Sequence, residues 1–305
     1  MLGKRIIPNV SEGNALVQIC SVLIVSIGGF SIGAHFAWPS PSTPQLIQNT
    51  SYIGQVTIEE ASYFSVISGV STIASSFLVA NAMKHVGRKR IIWSMTIPQL
   101  LSWILIAQAK SIAPIYIARA LSGIGEAIGF CTITVYIGEI TTPELRGKWG
   151  SMFSCATLLG NLCITVANDY IGIATAAYIF LFAPLLQLVL VALLPDSPYF
   201  LLEKGRYDDA KAALRQLRWK TDVDDEFLAL RKDVERQISE SGSFMDLLKI
   251  VTNRRALWYI FQLAGAESIS AEASSISVGT VSFALSIFAL PIISRFGRRA
   301  MLITS

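Results

Sequence analysis

The residues best placed to do chemistry lie inside or at the ends of apolar runs. Arg119, Ser122, Gly123 and Glu126 recur at i, i+3, i+4 and i+7, which puts them on one face of a helix. A guanidinium and a carboxylate so placed could relay a proton, or could form a structural polar face turned into a helix bundle; the second is the better reading of this pattern. His35 stands within another apolar run. Ionisable groups in such surroundings are costly and are candidates for function by default. Two short basic turns, Gly87-Arg88-Lys89-Arg90 and Gly297-Arg298-Arg299, each close an apolar run. Charged side chains there could anchor a helix end or hold a face of the molecule shut.

Other chemistries find little footing. The only histidines are His35 and His85. The four cysteines, Cys20, Cys131, Cys155 and Cys163, all fall in apolar runs without metal or disulfide spacing, so they read as small packing residues. No cofactor or metal is expected. No paired acids share an apolar run, and no nucleophile stands at a fixed spacing from a base, so the sequence does not read as an enzyme. The net charge of +4 fits basic loops and carries no sign of nucleic-acid binding.

The elements that must position these residues are membrane spans. Charged residues make up 15% of the chain, against about 25% in soluble domains, and the mean hydropathy is +0.53. A span needs about 20 apolar residues. Runs at 15–38, 62–83, 91–109, 112–137, 149–171 and 173–194 meet that length. The first reads as a signal anchor rather than a cleaved signal, because it is long and other spans follow. Lys84, Arg88, Lys89, Arg90, Arg146 and Lys148 fall in alternate connections, and the outer connections hold only Lys110. The positive-inside bias therefore predicts a cytoplasmic N-terminus. The outer loop 39–61 carries Asn49-Thr50-Ser51, an acceptor pattern for glycosylation.

Residues 195–254 hold 12 of the 21 acidic residues and many bases, so they belong outside the bilayer. Leu214, Leu217, Phe227 and Leu230 predict helices over 206–219 and 223–239, and Ser243-x-x-Asp246 reads as a capping box. Beyond this insert, 256–266 is short for a span and is followed by Glu267 and Glu272, whereas 276–293 is long enough. A basic turn and the start of another apolar run follow. The expected organisation is a six-span bundle at 1–194, a cytoplasmic helical insert at 195–254, and an incomplete second bundle at 255–305 with a shortened seventh span.

Further motifs carry a resemblance. Tyr136-Ile-Gly-Glu139-Ile-Thr-Thr-Pro-Glu-Leu-Arg146-Gly147 follows the fourth span, and Pro195-Asp196-Ser197-Pro198-Tyr199-Phe-Leu-Leu-Glu203-Lys204-Gly205-Arg206 follows the sixth. Arg119-x-x-x-Gly123-x-Gly125 lies within the fourth. With both basic turns, these resemble the sugar porter family of the major facilitator superfamily, and within it most resemble the arthropod trehalose and hexose facilitators. The resemblance runs from about residue 15 to the end of the chain. It implies an all-α polytopic membrane fold: the first six-helix bundle, the cytoplasmic helices and part of a second bundle, arranged around a polar cavity and working by alternating access.

The resemblance also implies roles. An inner latch falls on Arg88, Lys89, Glu139, Arg146, Arg298 and Arg299. Sugar contacts fall on Gln262 in the seventh span, Ser154 in the fifth and Ser282 in the eighth, with helix packing as the plain alternative for all three. The chain departs from the family at Lys84 and Ser294, where acids precede the basic turns, and at Tyr199, where an arginine follows Ser-Pro. Each departure weakens the latch. The stretch Gly29-Phe30-Ser31-Ile32-Gly33 lacks the acid of the proton-coupled branch, so facilitated diffusion is expected rather than proton symport. The implied partners are a small sugar and the lipid bilayer. The alternatives are a carrier of another small solute, or a shortened product that does not transport and associates with full-length carriers.

Overall fold

The computed structural model describes residues 14–47, 52–54 and 56–239. Among these residues all regular structure is helical: α1 (Leu16–Ala37), α2 (Pro39–Ile47), α3 (Ile58–Val86), α4 (Arg88–Gln108), α5 (Ile112–Ile140), α6 (Pro143–Trp149), α7 (Met152–Ile171), α8 (Ile173–Phe180), α9 (Phe182–Ala192), α10 (Pro198–Glu203), α11 (Tyr207–Arg218) and α12 (Asp224–Ser239). Six segments are long and apolar enough to cross a bilayer: Leu16–Ile47, Ile58–Val86, Arg88–Gln108, Ile112–Ile140, Pro143–Ile171 and Ile173–Ala192. A helix satisfies its own backbone polar groups, which hydrocarbon cannot do. The chain is thus a multi-pass membrane protein.

The first span runs further than the sequence suggests. Residues 39–47, expected in an outer loop, form α2, which continues from α1 through Trp38. Pro39 opens α2 where a helix tolerates proline, and the Ser42 N–H still reaches the Trp38 carbonyl at 3.2 Å. The fifth span is preceded by the short α6, and the sixth is divided at Leu181 between α8 and α9. Cys20 is exposed on α1, so it is not the packing residue its apolar surroundings suggest; Cys155 is buried.

The bundle is built from pairs. α1 packs chiefly on α7, and α5 packs on both α3 and α4. Small residues let backbones approach. A Cβ added to Gly33 would lie 1.8 Å from the Thr157 carbonyl oxygen, so only glycine fits there. Two apolar clusters fill the interior. One joins Trp38, Phe64, Trp103, Ile115, Ile164 and Phe180; the other, toward the opposite end, joins Val22, Met95, Ile133, Tyr136, Phe153 and Val191.

The starts and stops are readable in the residues. Thr57 caps α3 through a reciprocal box with Glu60. Gly87 turns α3 into α4 at φ +93°, a conformation that glycine adopts without strain. Outside the spans, α11 carries Asp208 and Asp209 in its first turn and Arg215 and Arg218 in its last, which complements the helix dipole. Its buried face, Ala210, Ala213, Leu214 and Leu217, follows the i, i+3, i+4, i+7 rhythm. Leu201, Leu202, Ala210, Ala213 and Val234 form a separate small core shared by α10, α11 and α12. α11 and α12 lie where the sequence predicts helices, at 206–219 and 223–239, whereas α10 lies outside both ranges; the capping box at Ser243 and Asp246 lies outside the described residues.

Candidate functional site

A charged cluster forms where α3, α4, α5 and α10 meet. Gly87 aims the first residue of α4, Arg88, back across the end of α5. The Arg88 guanidinium donates to the Glu139 carboxylate at 2.9 and 3.0 Å, and also pairs with Glu203 at 3.3 Å. Glu139 accepts a second bond, from the Ser197 hydroxyl, at 2.5 Å. The Arg88 and Glu139 side chains are each 13% exposed, so solvent screens their attraction less than it would at an open surface. The guanidinium rests over the Phe200 ring, 5.2 Å from its centroid. Close by, the buried Tyr136 hydroxyl donates to the Pro195 carbonyl at 2.7 Å, pinning the segment that carries Ser197 to α5.

Two further residues of the expected latch occupy helix ends. Lys89 donates to the Ala192 carbonyl at 3.0 Å, at the C-terminus of α9. Arg146 donates to the Gly138 carbonyl and, at 3.2 Å, to the Thr141 carbonyl, so it closes the C-terminus of α5. Cations at these positions neutralise orphan carbonyls. Arg298 and Arg299 lie outside the described residues. Ser197 and Glu203 were not among the expected latch residues. The signal was present in the motif after the sixth span, where both stand, but sequence alone does not say which acid or hydroxyl faces Arg88.

The second polar site is internal. Arg119 is 1% exposed and donates to the Phe64 carbonyl at 3.0 Å and the His35 carbonyl at 2.8 Å, bridging α5 to α3 and α1. The Trp38 ring lies 5.7 Å from the guanidinium. Glu126, 3% exposed, accepts from Ser68 at 3.3 Å and from Thr72 at 3.3 Å. Arg119 and Glu126 therefore share a buried face but serve different neighbours. Seven residues of helix set their Cα atoms about 10 Å apart along the axis, and the two side chains lie on the same face without forming an ion pair within 4 Å. His35 is buried, with its ring stacked on Trp103 at 4.0 Å between centroids.

Of the expected sugar contacts, Ser154 is exposed on α7, and Gln262 and Ser282 lie outside the described residues, as does Asn49. Sequence reasoning passed over two amides in the bundle interior. Gln99 on α4 and Gln187 on α9 are fully buried, and neither side-chain amide bonds a described residue. A polar residue amid an apolar run was the available signal. Among the described residues no group of His, Cys, Asp and Glu could hold a metal ion.

This arrangement can be set beside known proteins. Residues 21–274 match the family described as "Sugar (and other) transporter". The chain belongs to the sugar transporter family. Among the family's described members, the "Facilitated trehalose transporter Tret1" of Culex quinquefasciatus is 31% identical over 314 residues, covering 94% of this chain and 60% of that protein. The protein of the same name from Polypedilum vanderplanki is also 31% identical, covering 94% and 62%. The chain thus spans about three fifths of the length of these two relatives. The solved structure of the major facilitator superfamily proton:xylose symporter XylE bound to 6-bromo-6-deoxy-D-glucose superposes with a TM-score of 0.73 at 19% identity, over 93% of this chain and 71% of that one. The inward-open xylose transporter XylE from E. coli gives a TM-score of 0.71 at 18% identity, over 91% and 69%. These two establish a major facilitator fold.

Proposed function

We propose that the complete protein carries a sugar, trehalose or a hexose, across the plasma membrane by facilitated diffusion with alternating access. The observation that carries the reading is the cluster in which Arg88 joins Glu139 and Glu203, because it ties one turn between spans to two other elements with contacts that can break and re-form. In this reading Arg88, Glu139 and Glu203 latch the cytoplasmic face, with Lys89 and Arg146 holding the helix ends and Arg298 and Arg299 supplying the equivalent turn of the second bundle. Residues 1–194 act as the first bundle, 195–254 as a cytoplasmic insert that seats the latch, and 255–305 as part of the second bundle. The N-terminus is cytoplasmic and Asn49 carries an outward glycan.

A sugar hydroxyl leaving water needs a replacement partner. Gln262, Ser154 and Ser282 supply neutral donors and acceptors for it. The relatives from Culex and Polypedilum are named as trehalose facilitators, which favours a disaccharide. The test is uptake of labelled trehalose and glucose into proteoliposomes holding the full-length protein. Saturable uptake that is indifferent to a proton gradient and falls in Gln262→Ala and Arg88→Ala supports the reading. Uptake that rises linearly with concentration overturns it.

A further inference from the structure

A cavity of about 250 Å³ opens beside the latch, between the α3–α4 turn and the insert. Its lining includes His85, Arg90, Asp196, Phe200, Lys204 and Arg206. Three permanent cations thus converge from three elements, with one carboxylate among them. Among the described residues Arg90 has no ion-pair partner. Lys204 lies over the Phe200 ring at 5.8 Å, and Arg206 is paired with Asp209 at 2.7 Å. His85 and Arg90, in the last turn of α3 and the first of α4, stand where a span leaves the bilayer. Cations gathered in a concave site at that level meet phosphate headgroups.

We infer that this cavity binds a phosphate-bearing anion, the headgroup of an anionic phospholipid, through Arg90, Lys204 and Arg206. Phe200 forms the floor and is shared with the latch, since the Arg88 guanidinium rests on the same ring. A bound phosphate bridges α4 to α10 and to the turn before α11, and so holds the insert against the bundle while the latch is closed. Asp196 opposes the anion and limits its affinity. This site is independent of the sugar reading, because it concerns retention of a lipid rather than passage of a solute.

Retention of lipid by the full-length protein tests it directly. Native mass spectrometry compares phosphatidylglycerol with phosphatidylcholine of the same acyl chains, and inorganic phosphate is titrated separately. The expected result is preferential retention of phosphatidylglycerol, weakened about fivefold for each charge removed in Arg90→Gln and Lys204→Gln. Both side chains are exposed, so the fold should tolerate their loss. Asp196→Asn should act in the opposite direction and strengthen retention, an effect that misfolding cannot mimic. If inorganic phosphate alone protects the protein from thermal unfolding and the same variants abolish that protection, the anion site stands and its ligand is soluble. Equal retention of both lipids, with no response to phosphate or to any of the three substitutions, overturns the proposal.

Discussion

Gly160 on α7 faces the Phe30 backbone on α1 so closely that an added Cβ would sit 1.9 Å from the Phe30 carbonyl oxygen. The neighbour is backbone and cannot swing aside, so the two helices must separate to admit a methyl group. Gly160→Ala is expected to cost about 1–3 kcal/mol through overpacking, and Gly160→Leu to prevent assembly of the bundle. Thermal unfolding of the purified protein in detergent measures both; an unchanged midpoint for the alanine variant would contradict the packing described for α1 and α7.

Arg88 and Glu139 should be energetically coupled. A double-mutant cycle on Arg88→Ala and Glu139→Gln is expected to give a coupling of about 0.5–3 kcal/mol. Arg88→Lys should recover little, because an ammonium cannot reproduce the planar fork that reaches Glu139 and Glu203 together. Strict additivity of the two single substitutions would show that the pair does not act as a unit.

Removing Arg119 should weaken the bundle without touching its surface. The guanidinium supplies the bonds to the Phe64 and His35 carbonyls in a buried site. Arg119→Leu leaves the His35 carbonyl without a donor, since the residue four positions on is Pro39 and has no N–H, at about 1–3 kcal/mol; the Phe64 carbonyl keeps its place in the α3 ladder. Equilibrium unfolding by denaturant reads the loss, and a stability equal to that of the parent would remove Arg119 as the tie between α1, α3 and α5.

The link between α11 and α12 should respond to acid. Asp224 accepts a hydrogen bond from Lys211, and this bond holds its carboxyl below the ordinary value of 3.8. A group depressed in the folded state contributes above its unfolded value and stops contributing as pH falls through the folded value. The protection of amides in α11 and α12, each exchange rate being divided by its intrinsic rate at the same pH, is therefore expected to stay constant from neutral pH down to the ordinary carboxylate range and to fall below it. Asp224→Asn should lower protection at neutral pH and flatten the acid step. A wild-type profile identical to that of the asparagine variant would refute the link.

The spans were legible because each is an uninterrupted apolar run of bilayer length, a signal written in every residue of the segment. Arg119 and Glu126 were legible as a buried face for the same reason, since helical spacing alone sets their common side. What escaped depends on contacts between segments. The continuation of α1 into α2 was hidden by Pro39, Pro41 and Pro44, which usually punctuate loops but here follow a helix that is already nucleated. The pairing of Arg88 with Glu203, 115 positions away in sequence, and the hydroxyl of Ser197 on Glu139 follow from how α10 folds back under the bundle. Local pattern carries no record of that return.

The unequal enclosure of α3 and α5 has an evolutionary consequence. The apolar window of α5 is 61% buried and that of α3 only 17%. On α5 each side chain answers to a particular neighbour, so accepted changes must be matched by compensating ones elsewhere. Along Val66, Val70, Ile73 and Phe77 the exposed flank of α3 has no such correspondents within the described bundle, which asks of those positions only that a residue be oily. Contacts inside the bundle therefore restrain drift on α5 more than on α3, and whatever holds the flank of α3 to a particular side chain must come from outside the described bundle.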